Sequence, residues 1–301
     1  MKILIIGASG LVGGNLFNYL SENTEFEITG TYNNYSLEPF IHFDASEISS
    51  WSKSIVNTKW DIIVHTGALT HVDRCEQEPE LSYYLTVKSV QNVCLFASEI
   101  GAKLIYISTD YVFDGNSGPY SELDSPNPIN IYGKHKLEAE NFVKSCLTAY
   151  LIIRITNVYG DEVRSKNMLS RIISQITSNS NLSITAPFDQ YATPVNALDI
   201  AKAILLLINN EKIGVYHIAS TDFLNRVQFI QKVNSYFNNV LTINSVTTEQ
   251  LNQIAPRPLL GGLRAQKFLN EFPTFCFSNL DNYLNVNKVE GKFNASTFGN
   301  K

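Results

Sequence analysis

Two side chains that could together handle a proton stand four residues apart in the middle of the chain. Tyr132 and Lys136 lie in a segment with helical character, where residues i and i+4 share one face. A tyrosine can donate a proton, and a neighbouring cation favours the phenolate, which would lower the pKa of Tyr132. Thr109 ends an apolar run upstream and could supply a hydroxyl that orients a substrate carbonyl. The same spacing also occurs on ordinary surface helices, so the interpretation depends on the surrounding elements.

A glycine-rich turn near the start of the chain supports the chemical interpretation. Residues 7 to 13 read Gly-Ala-Ser-Gly-Leu-Val-Gly and directly follow an apolar run over residues 2 to 6. A buried strand, such a turn and a helix form the phosphate-binding unit of dinucleotide-binding folds. Gly7 would make the tight turn, Gly10 would admit the pyrophosphate, and Gly13 would allow close helix packing. The sequence therefore predicts a nucleotide cofactor.

The choice of cofactor depends on the residues after the second predicted strand. An acidic residue there would hold the ribose of NAD, but residues 30 to 36 contain neither a carboxylate nor an arginine. Because nothing in this segment would repel a 2′-phosphate, the sequence favours NADP(H) over NAD(H), with Asn33 as a neutral donor. A simple turn without a binding role is the alternative for these residues.

The order of apolar and helical segments indicates the fold class. Apolar runs alternate with helical segments, which predicts an α/β fold with a Rossmann-type doubly wound parallel sheet. Strands are predicted at 2–6, 26–32, 60–65, 103–107, 150–155 and 214–218. Helices are predicted at 11–20, 47–56, 79–100, 130–146, 167–177 and 199–208. Right-handed crossovers would bring the loops after these strands to one edge of the sheet.

The second half of the chain is less regular and suggests a smaller, interleaved C-terminal substrate lobe. We assign residues 1–160 to a dinucleotide-binding domain, to which residues 190–220 return. Residues 161–189 and 221–287 would form the substrate lobe. Residues 288–301 are polar and are expected to be a mobile tail.

Composition excludes several other classes of protein. The 301 residues are 44% hydrophobic and 17% charged, as in ordinary globular proteins, and the net charge of -5 without a basic run argues against nucleic-acid binding. Glycines interrupt the N-terminal apolar run, which argues against a signal peptide or a membrane span, so we expect a cytoplasmic protein without a membrane partner. The four cysteines and five histidines lack disulfide or ligand spacing, so no metal site is predicted.

Taken together, these motifs resemble the extended short-chain dehydrogenase/reductase superfamily, and most closely its dTDP-4-dehydrorhamnose reductase group. The resemblance extends over about residues 1 to 265. It rests on the glycine turn, on Ser-Thr-Asp-Tyr-Val-Phe-Asp-Gly at 108–115, on Tyr-Gly-Lys-His-Lys at 132–136 and on Arg257-Pro258. It implies an NAD(P)H-dependent reductase of a 4-keto sugar nucleotide.

The resemblance also implies roles for individual residues. Thr109, Tyr132 and Lys136 would be the catalytic residues, with Tyr132 donating the proton and Lys136 also binding the nicotinamide ribose. Residues predicted to bind the cofactor are Gly7, Ser9, Gly10, Leu11, Val12, Gly13, Asn33, Asp44, Ala68, Ser108, Tyr132 and Lys136. Residues predicted to bind the substrate are Thr109, Asp110, Tyr111, Asn157 and Arg257.

Some features leave the sugar and the activity open. The rhamnose-pathway reductases place a tryptophan against the sugar at the position of Asn157, so the identity of the sugar is not fixed. A noncatalytic, nucleotide-binding regulatory subunit of the same fold and a sugar-nucleotide epimerase are the alternative functions. The intact Thr109, Tyr132 and Lys136 weigh against the first of these. The predicted partner is a small nucleotide-sugar substrate, and a homodimer is the candidate assembly.

Overall fold

A parallel sheet forms the centre of the computed structural model, which describes residues 1–179 and 182–289. The strands are β1 (Lys2–Ile6), β2 (Glu27–Tyr32), β3 (Ile41–His42), β4 (Ile62–His65), β5 (Lys103–Thr109), β6 (Tyr150–Ile155), β7 (Ser183–Pro187), β8 (Tyr191–Ala192), β9 (Gly214–His217), β10 (Leu224–Asn225) and β11 (Thr242–Val246). The α-helices are α1 (Leu11–Asn23), α2 (Lys53–Val56), α3 (Val72–Gln77), α4 (Pro79–Tyr83), α5 (Ser89–Ile100), α6 (Ile131–Cys146), α7 (Met168–Thr177), α8 (Ala197–Asn209), α9 (Arg226–Ser235), α10 (Gln266–Glu271) and α11 (Leu280–Val289).

Seven of these strands make the central sheet in the order β3-β2-β1-β4-β5-β6-β9, and all neighbouring pairs are parallel. The strand order reverses between β1 and β4, which is where doubly wound sheets open a crevice for ligands. The predicted Rossmann-type fold class is confirmed. The strands of this sheet are continuous apolar runs because both faces of the sheet are buried.

Helices cover both faces of the sheet. On one face, α1 packs against α8, and Leu16 and Ile204 belong to a hydrophobic core that includes Ile3 and Ile5 of β1. On the other face, α5 packs against α6, and Val93 joins Leu4 of the same strand. Successive residues of β1 therefore point into different cores, as the period of two in a strand requires.

The predicted helix over residues 47–56 is wrong. The chain instead makes a 3₁₀ turn at Ile48–Ser50 and the one-turn helix α2, separated by extended backbone at Trp51. The Trp51 ring packs 4.9 Å from Phe43 and 5.6 Å from Phe96, and its Nε1 donates to the Asp44 carbonyl oxygen at 2.8 Å. These contacts outweigh the local helical preference. The predicted helix over residues 79–100 is present but includes a π-helical turn at Tyr84–Lys88.

A third hydrophobic core lies outside the central sheet. It joins Tyr159 and Leu169 to Phe229 of α9 and Leu284 of α11. Two small sheets accompany it, one with β7 and β11 parallel and one with β8 and β10 antiparallel. The expected mobile tail begins inside α11, because residues 288 and 289 are helical, and residues 290–301 lie outside the described residues. The assignment of domain boundaries stays a prediction.

An irregular stretch over residues 255–263, here called the crossing segment, connects distant parts of the chain. Its backbone pairs with Gly115 and Gly118 through Leu260, with Tyr120 through Gly262, and with Tyr191 through Leu259 and Gly261. At its start, the Ala255 N–H donates to the Asp73 carboxylate at 3.0 Å.

No helix within residues 1–179 and 182–289 has the length and apolar character needed to cross a membrane.

Candidate active site

The predicted catalytic residues come together where β5 ends and α6 begins. Thr109 is the last residue of β5, and a 3₁₀ turn at Asp110–Val112 follows it. The N-cap of α6 is Asn130, whose side chain accepts from the Gly133 N–H at 2.8 Å and donates to the Pro256 carbonyl at 2.8 Å. Capping fixes the start of the helix. As a result, the Tyr132 ring lies 5.6 Å from the ring of Tyr111 in the preceding turn.

Tyr132 is suited to holding a proton. Burial raises the pKa of its phenol, and a hydrogen bond with the Thr109 side chain only partly opposes the rise. The lowering of this pKa that the sequence predicts is therefore wrong in direction for this structure. At neutral pH the phenol is protonated, which is the state that a proton donor needs.

The environment of Lys136 explains this difference. Its side chain is buried, and Nζ donates to the Ile107 carbonyl at 2.6 Å while lying 4.1 Å from the centre of the Tyr106 ring. Both partners belong to β5, so the ammonium is held by the strand and not by the phenol. Burial lowers the pKa of Lys136 to about 7, against the opposing charge of Glu140. The lysine is thus poised to change its charge near neutral pH.

A buried ion pair supports this site from behind. Arg154 of β6 donates from Nη2 and Nε to the Glu140 carboxylate at 2.7 and 2.9 Å, and both side chains are nearly fully buried. Burial alone would raise the pKa of Glu140, but the hydrogen bonds and charge of Arg154 outweigh it and the pKa is lowered. The Ser108 hydroxyl also donates to Glu140, at 2.6 Å. The single hydroxyl proton of Ser108 is therefore used by Glu140, and a contact of Ser108 with a cofactor stays a prediction.

The glycine turn leaves room for a phosphate group. Gly7 has φ +87°, a conformation that favours glycine. A Cβ at Gly13 would collide with the Gly7 carbonyl. Glycine is therefore required at both positions. At Gly10 the nearest atom to an added Cβ within 4 Å is the Gly7 carbonyl oxygen at 3.3 Å. Gly10 also caps α1 without a side-chain hydrogen bond. The start of α1, which has a glycine and no side-chain cap at its N-terminus, fits the pyrophosphate of a dinucleotide.

The other predicted cofactor residues follow neighbouring strands of the sheet. Asn33 comes after β2, Asp44 after β3 and Ala68 after β4, so all three lie at the edge that carries the glycine turn. The Asp44 carboxylate accepts from the Ser46 N–H and hydroxyl. Ser9, Leu11 and Val12 are each partly exposed around the turn. Their contacts with a cofactor stay predictions.

An arginine that the sequence analysis missed reaches the loop after β2. The Arg164 guanidinium carbon lies 5.2 Å from the centre of the Tyr35 ring. Its Nε is buried without a hydrogen-bond partner among the described residues. The loop that carries Arg164 is tied to α1, because the Asn15 side chain donates to the Asp161 carbonyl at 2.9 Å. More than a hundred residues separate Arg164 from Tyr35, so local pattern gives no sign of the contact.

A small pocket opens at Tyr111, the neighbour of Tyr132. It is lined by Asp110, Tyr111, Asn157, Gln190, Tyr191, Ala192, Arg226, Pro258 and Gly261. Asp110, Tyr111 and Asn157 are predicted substrate residues, whereas Arg226 is a second arginine that sequence reasoning missed. The predicted substrate residue Arg257 instead forms an ion pair with Asp73 at 2.9 Å, with its side chain largely buried.

Within the described residues, no group of three or more acidic, histidine or cysteine side chains is placed to hold a metal ion.

The strand order, the glycine turn and the helix carrying Tyr132 and Lys136 together define the extended short-chain dehydrogenase/reductase fold. The family profile described as RmlD substrate binding domain matches residues 1–278, and the chain belongs to that family.

Individual relatives point to two kinds of protein. The chain is 29% identical over 262 residues to methionine adenosyltransferase 2 subunit beta of Xenopus tropicalis, covering 85% of this chain and 78% of that protein. It is 27% identical to dTDP-4-dehydrorhamnose reductase of Aggregatibacter actinomycetemcomitans, covering 90% and 93%. The crystal structure of dTDP-4-dehydrorhamnose reductase from Bacillus anthracis in complex with NADP superposes with a TM-score of 0.83 at 29% identity, covering 96% and 99%.

Proposed function

We propose that the protein is an NAD(P)H-dependent reductase of a 4-keto sugar nucleotide. The observation that carries this proposal is the hydrogen bond between the Thr109 and Tyr132 side chains, next to Tyr111, which lines the pocket at Arg226. The glycine turn follows β1 of the same parallel sheet, at the edge where β5 ends. A bound NAD(P)H would supply the hydride that reduces the sugar carbonyl. The similarity to a dTDP-4-dehydrorhamnose reductase supports the same substrate class.

In this proposal the protein holds and delivers the proton. The Thr109 hydroxyl and the Tyr132 phenol would both contact the carbonyl oxygen, and Tyr132 would donate its proton to that oxygen. Lys136 would hold the nicotinamide ribose. Arg154 and Glu140 would keep the end of β5 in position through Ser108. Asp110 is fixed by Thr156 and the Gly262 N–H, so it shapes the floor of the pocket.

A turnover assay tests the proposed function. The protein would be mixed with NADPH and with 4-keto sugar nucleotides of uridine and of thymidine, both 6-deoxy and with a C6 carboxylate, and the loss of NADPH absorbance would be followed. We expect substrate-dependent oxidation of NADPH and a product reduced at C4. Binding of NADPH without turnover of any 4-keto sugar nucleotide would contradict the reductase.

A second candidate function is that of a noncatalytic subunit. The similarity to methionine adenosyltransferase 2 subunit beta is the observation that favours it. This candidate and the reductase make different predictions for the same assay, because a subunit that acts by binding has no need to oxidise NADPH. An epimerase would instead interconvert two sugar nucleotides that carry a hydroxyl at the reacting carbon, with NAD⁺ present and without net change in the cofactor.

We further propose that the cofactor is NADP(H). The loop after β2 contains no carboxylate to repel a 2′-phosphate, and the cation that sequence analysis did not find there is supplied by Arg164. A guanidinium stacked on Tyr35, with its Nε unpartnered among the described residues, is suited to bind a phosphate.

Replacing Arg164 tests the choice of cofactor. Arg164→Met is expected to weaken NADPH binding about 10-fold or more, the effect of losing a charge-assisted hydrogen bond, while NADH binding changes little. Cofactor fluorescence would measure both affinities. Arg171→Met is the matched control, because Arg171 is an exposed arginine on α7. Equal losses for NADPH and NADH would show that Arg164 does not read the 2′-phosphate.

A further inference from the structure

Arg226 is a cation in the pocket whose hydrogen bonds go to neutral groups. Its Nη2 donates to the Asn157 side-chain oxygen at 2.9 Å, and its Nη1 lies 3.6 Å from the Met168 sulfur, which is a weak acceptor. Among the described residues, no carboxylate lies within 4.0 Å of its guanidinium group. Arg257, the other arginine near the pocket, is paired with Asp73.

The place of Arg226 in the fold also sets it apart from an ordinary surface arginine. It is the first residue of α9, where the helix dipole disfavours a positive charge. The nearest acid in the pocket is Asp110, which is already bound by Thr156 Oγ1 at 2.7 Å and by the Gly262 N–H at 3.2 Å. Burial raises the pKa of Asp110, and the charge of Arg226 only partly opposes this rise. The guanidinium therefore retains donors for an anion from outside the chain.

We propose that Arg226 and Asn157 form a subsite for a negatively charged substituent, of the carboxylate class, on the sugar of the substrate. This inference rests on the proposed function. Arg226 offers a planar set of donors that a carboxylate can accept from in pairs. Asn157 has φ +41°, a conformation that asparagine tolerates, and its amide oxygen orients the guanidinium group.

The position of the subsite favours the sugar over the diphosphate as the source of the charge. Arg226 and Asn157 line the same pocket as Tyr111, whose ring contacts that of Tyr132. Tyr111 therefore connects this pocket to Tyr132, where the sugar carbonyl would react. In a sugar nucleotide the diphosphate is attached across the ring from C4. With C4 at Tyr132, an anion at Arg226 is expected to be a substituent of the sugar and not the diphosphate.

Matched pairs of stable sugar nucleotides test the subsite by binding alone. UDP-glucuronic acid and UDP-glucose differ only in the carboxylate, as do the corresponding thymidine compounds, so the base and diphosphate contributions cancel within each pair. Calorimetry with saturating NADP⁺ would give the affinities. We expect the acid to bind about 10-fold or more tightly than the neutral sugar of the better-bound pair.

The variants then assign the difference to Arg226. Arg226→Met is expected to remove the preference for the acid and to leave the affinity for the neutral sugar nearly unchanged, whereas Arg226→Lys should keep part of the preference. Arg171→Met, on the exposed side of α7, should behave as the natural protein. Equal affinity for the acid and the neutral sugar, or equal losses of both in Arg226→Met, would overturn the subsite and leave the reductase standing. Failure of every sugar nucleotide to bind while NADPH still binds would overturn the subsite and the proposed substrate class together.

Discussion

Tyr132→Phe is expected to reduce turnover by about 10²- to 10⁴-fold, the usual contribution of general acid catalysis, while the fold and cofactor binding persist. The substitution keeps the ring and its contact with Tyr111, at 5.6 Å between ring centres, and removes only the proposed proton donor. Steady-state turnover of the best 4-keto sugar nucleotide would measure the loss. The same preparation should bind NADPH with unchanged affinity, which separates lost chemistry from lost structure.

Two further variants make this result specific. Lys136→Met should lose turnover and also bind the cofactor more weakly, because Lys136 has two proposed roles. Tyr83→Phe, which removes the hydroxyl of an exposed tyrosine on α4, should retain full turnover. If Tyr132→Phe turned over as fast as the natural protein, another group would be the acid and the assignment of this helix would fail.

Arg154→Met is expected to lower the free energy of unfolding by about 3–5 kcal/mol, the cost of removing the buried partner of a buried carboxylate, because the remaining cation, Lys144 at 3.3 Å, is partly exposed. Glu140 is fully buried and accepts from Arg154 at 2.7 and 2.9 Å. Methionine would fill part of the space and supply no donor. Urea unfolding at neutral pH would measure the change.

The pH dependence and two controls identify the ion pair as the cause. The pKa of Glu140 is lowered in the folded protein, so its contribution to stability is present above the unfolded value of about 4.3 and is lost as the pH falls through the folded value. The difference in free energy of unfolding between Arg154→Met and the natural protein should therefore become smaller below about pH 4.

Two control variants complete the test. Glu140→Leu combined with Arg154→Met should recover much of the lost stability. Arg74→Met, which breaks an exposed ion pair, should cost about 0–1 kcal/mol. A cost for Arg154→Met no larger than that for Arg74→Met would contradict this account.

The parts of the fold that the sequence predicts are those governed by burial. β1 and β4 are continuous apolar runs because helices cover both faces of the sheet. The glycine turn could be predicted because its backbone conformation and contacts require glycine at positions 7 and 13. The prediction of a helix over residues 47–56 was wrong because the tertiary packing of Trp51 determines the backbone conformation there. The two-residue strands β8 and β10 are too short to carry a periodic signal.

The candidate site shows the same division. Tyr132 and Lys136 could be paired from sequence because a helix fixes their spacing, yet the direction of the Tyr132 pKa depends on how deeply the ring is buried and on where the lysine points. Arg164 and Arg226 could not be assigned to the site from sequence, because their contacts, with Tyr35 and Asn157, join residues that are far apart in the chain. Neither contact has a local pattern.

The crossing segment has a consequence for how the molecule loses its structure. Residues 255–263 hydrogen-bond to the loop after β5 through Gly115, Gly118 and Tyr120, to β8 through Tyr191, and to α3 through Asp73. Opening the part of the chain that contains β8 would break bonds held by the part that contains β5. Local unfolding usually follows units with few shared contacts. Because this stretch is shared, the sheet and the elements beyond it are expected to exchange their amide hydrogens as one cooperative unit.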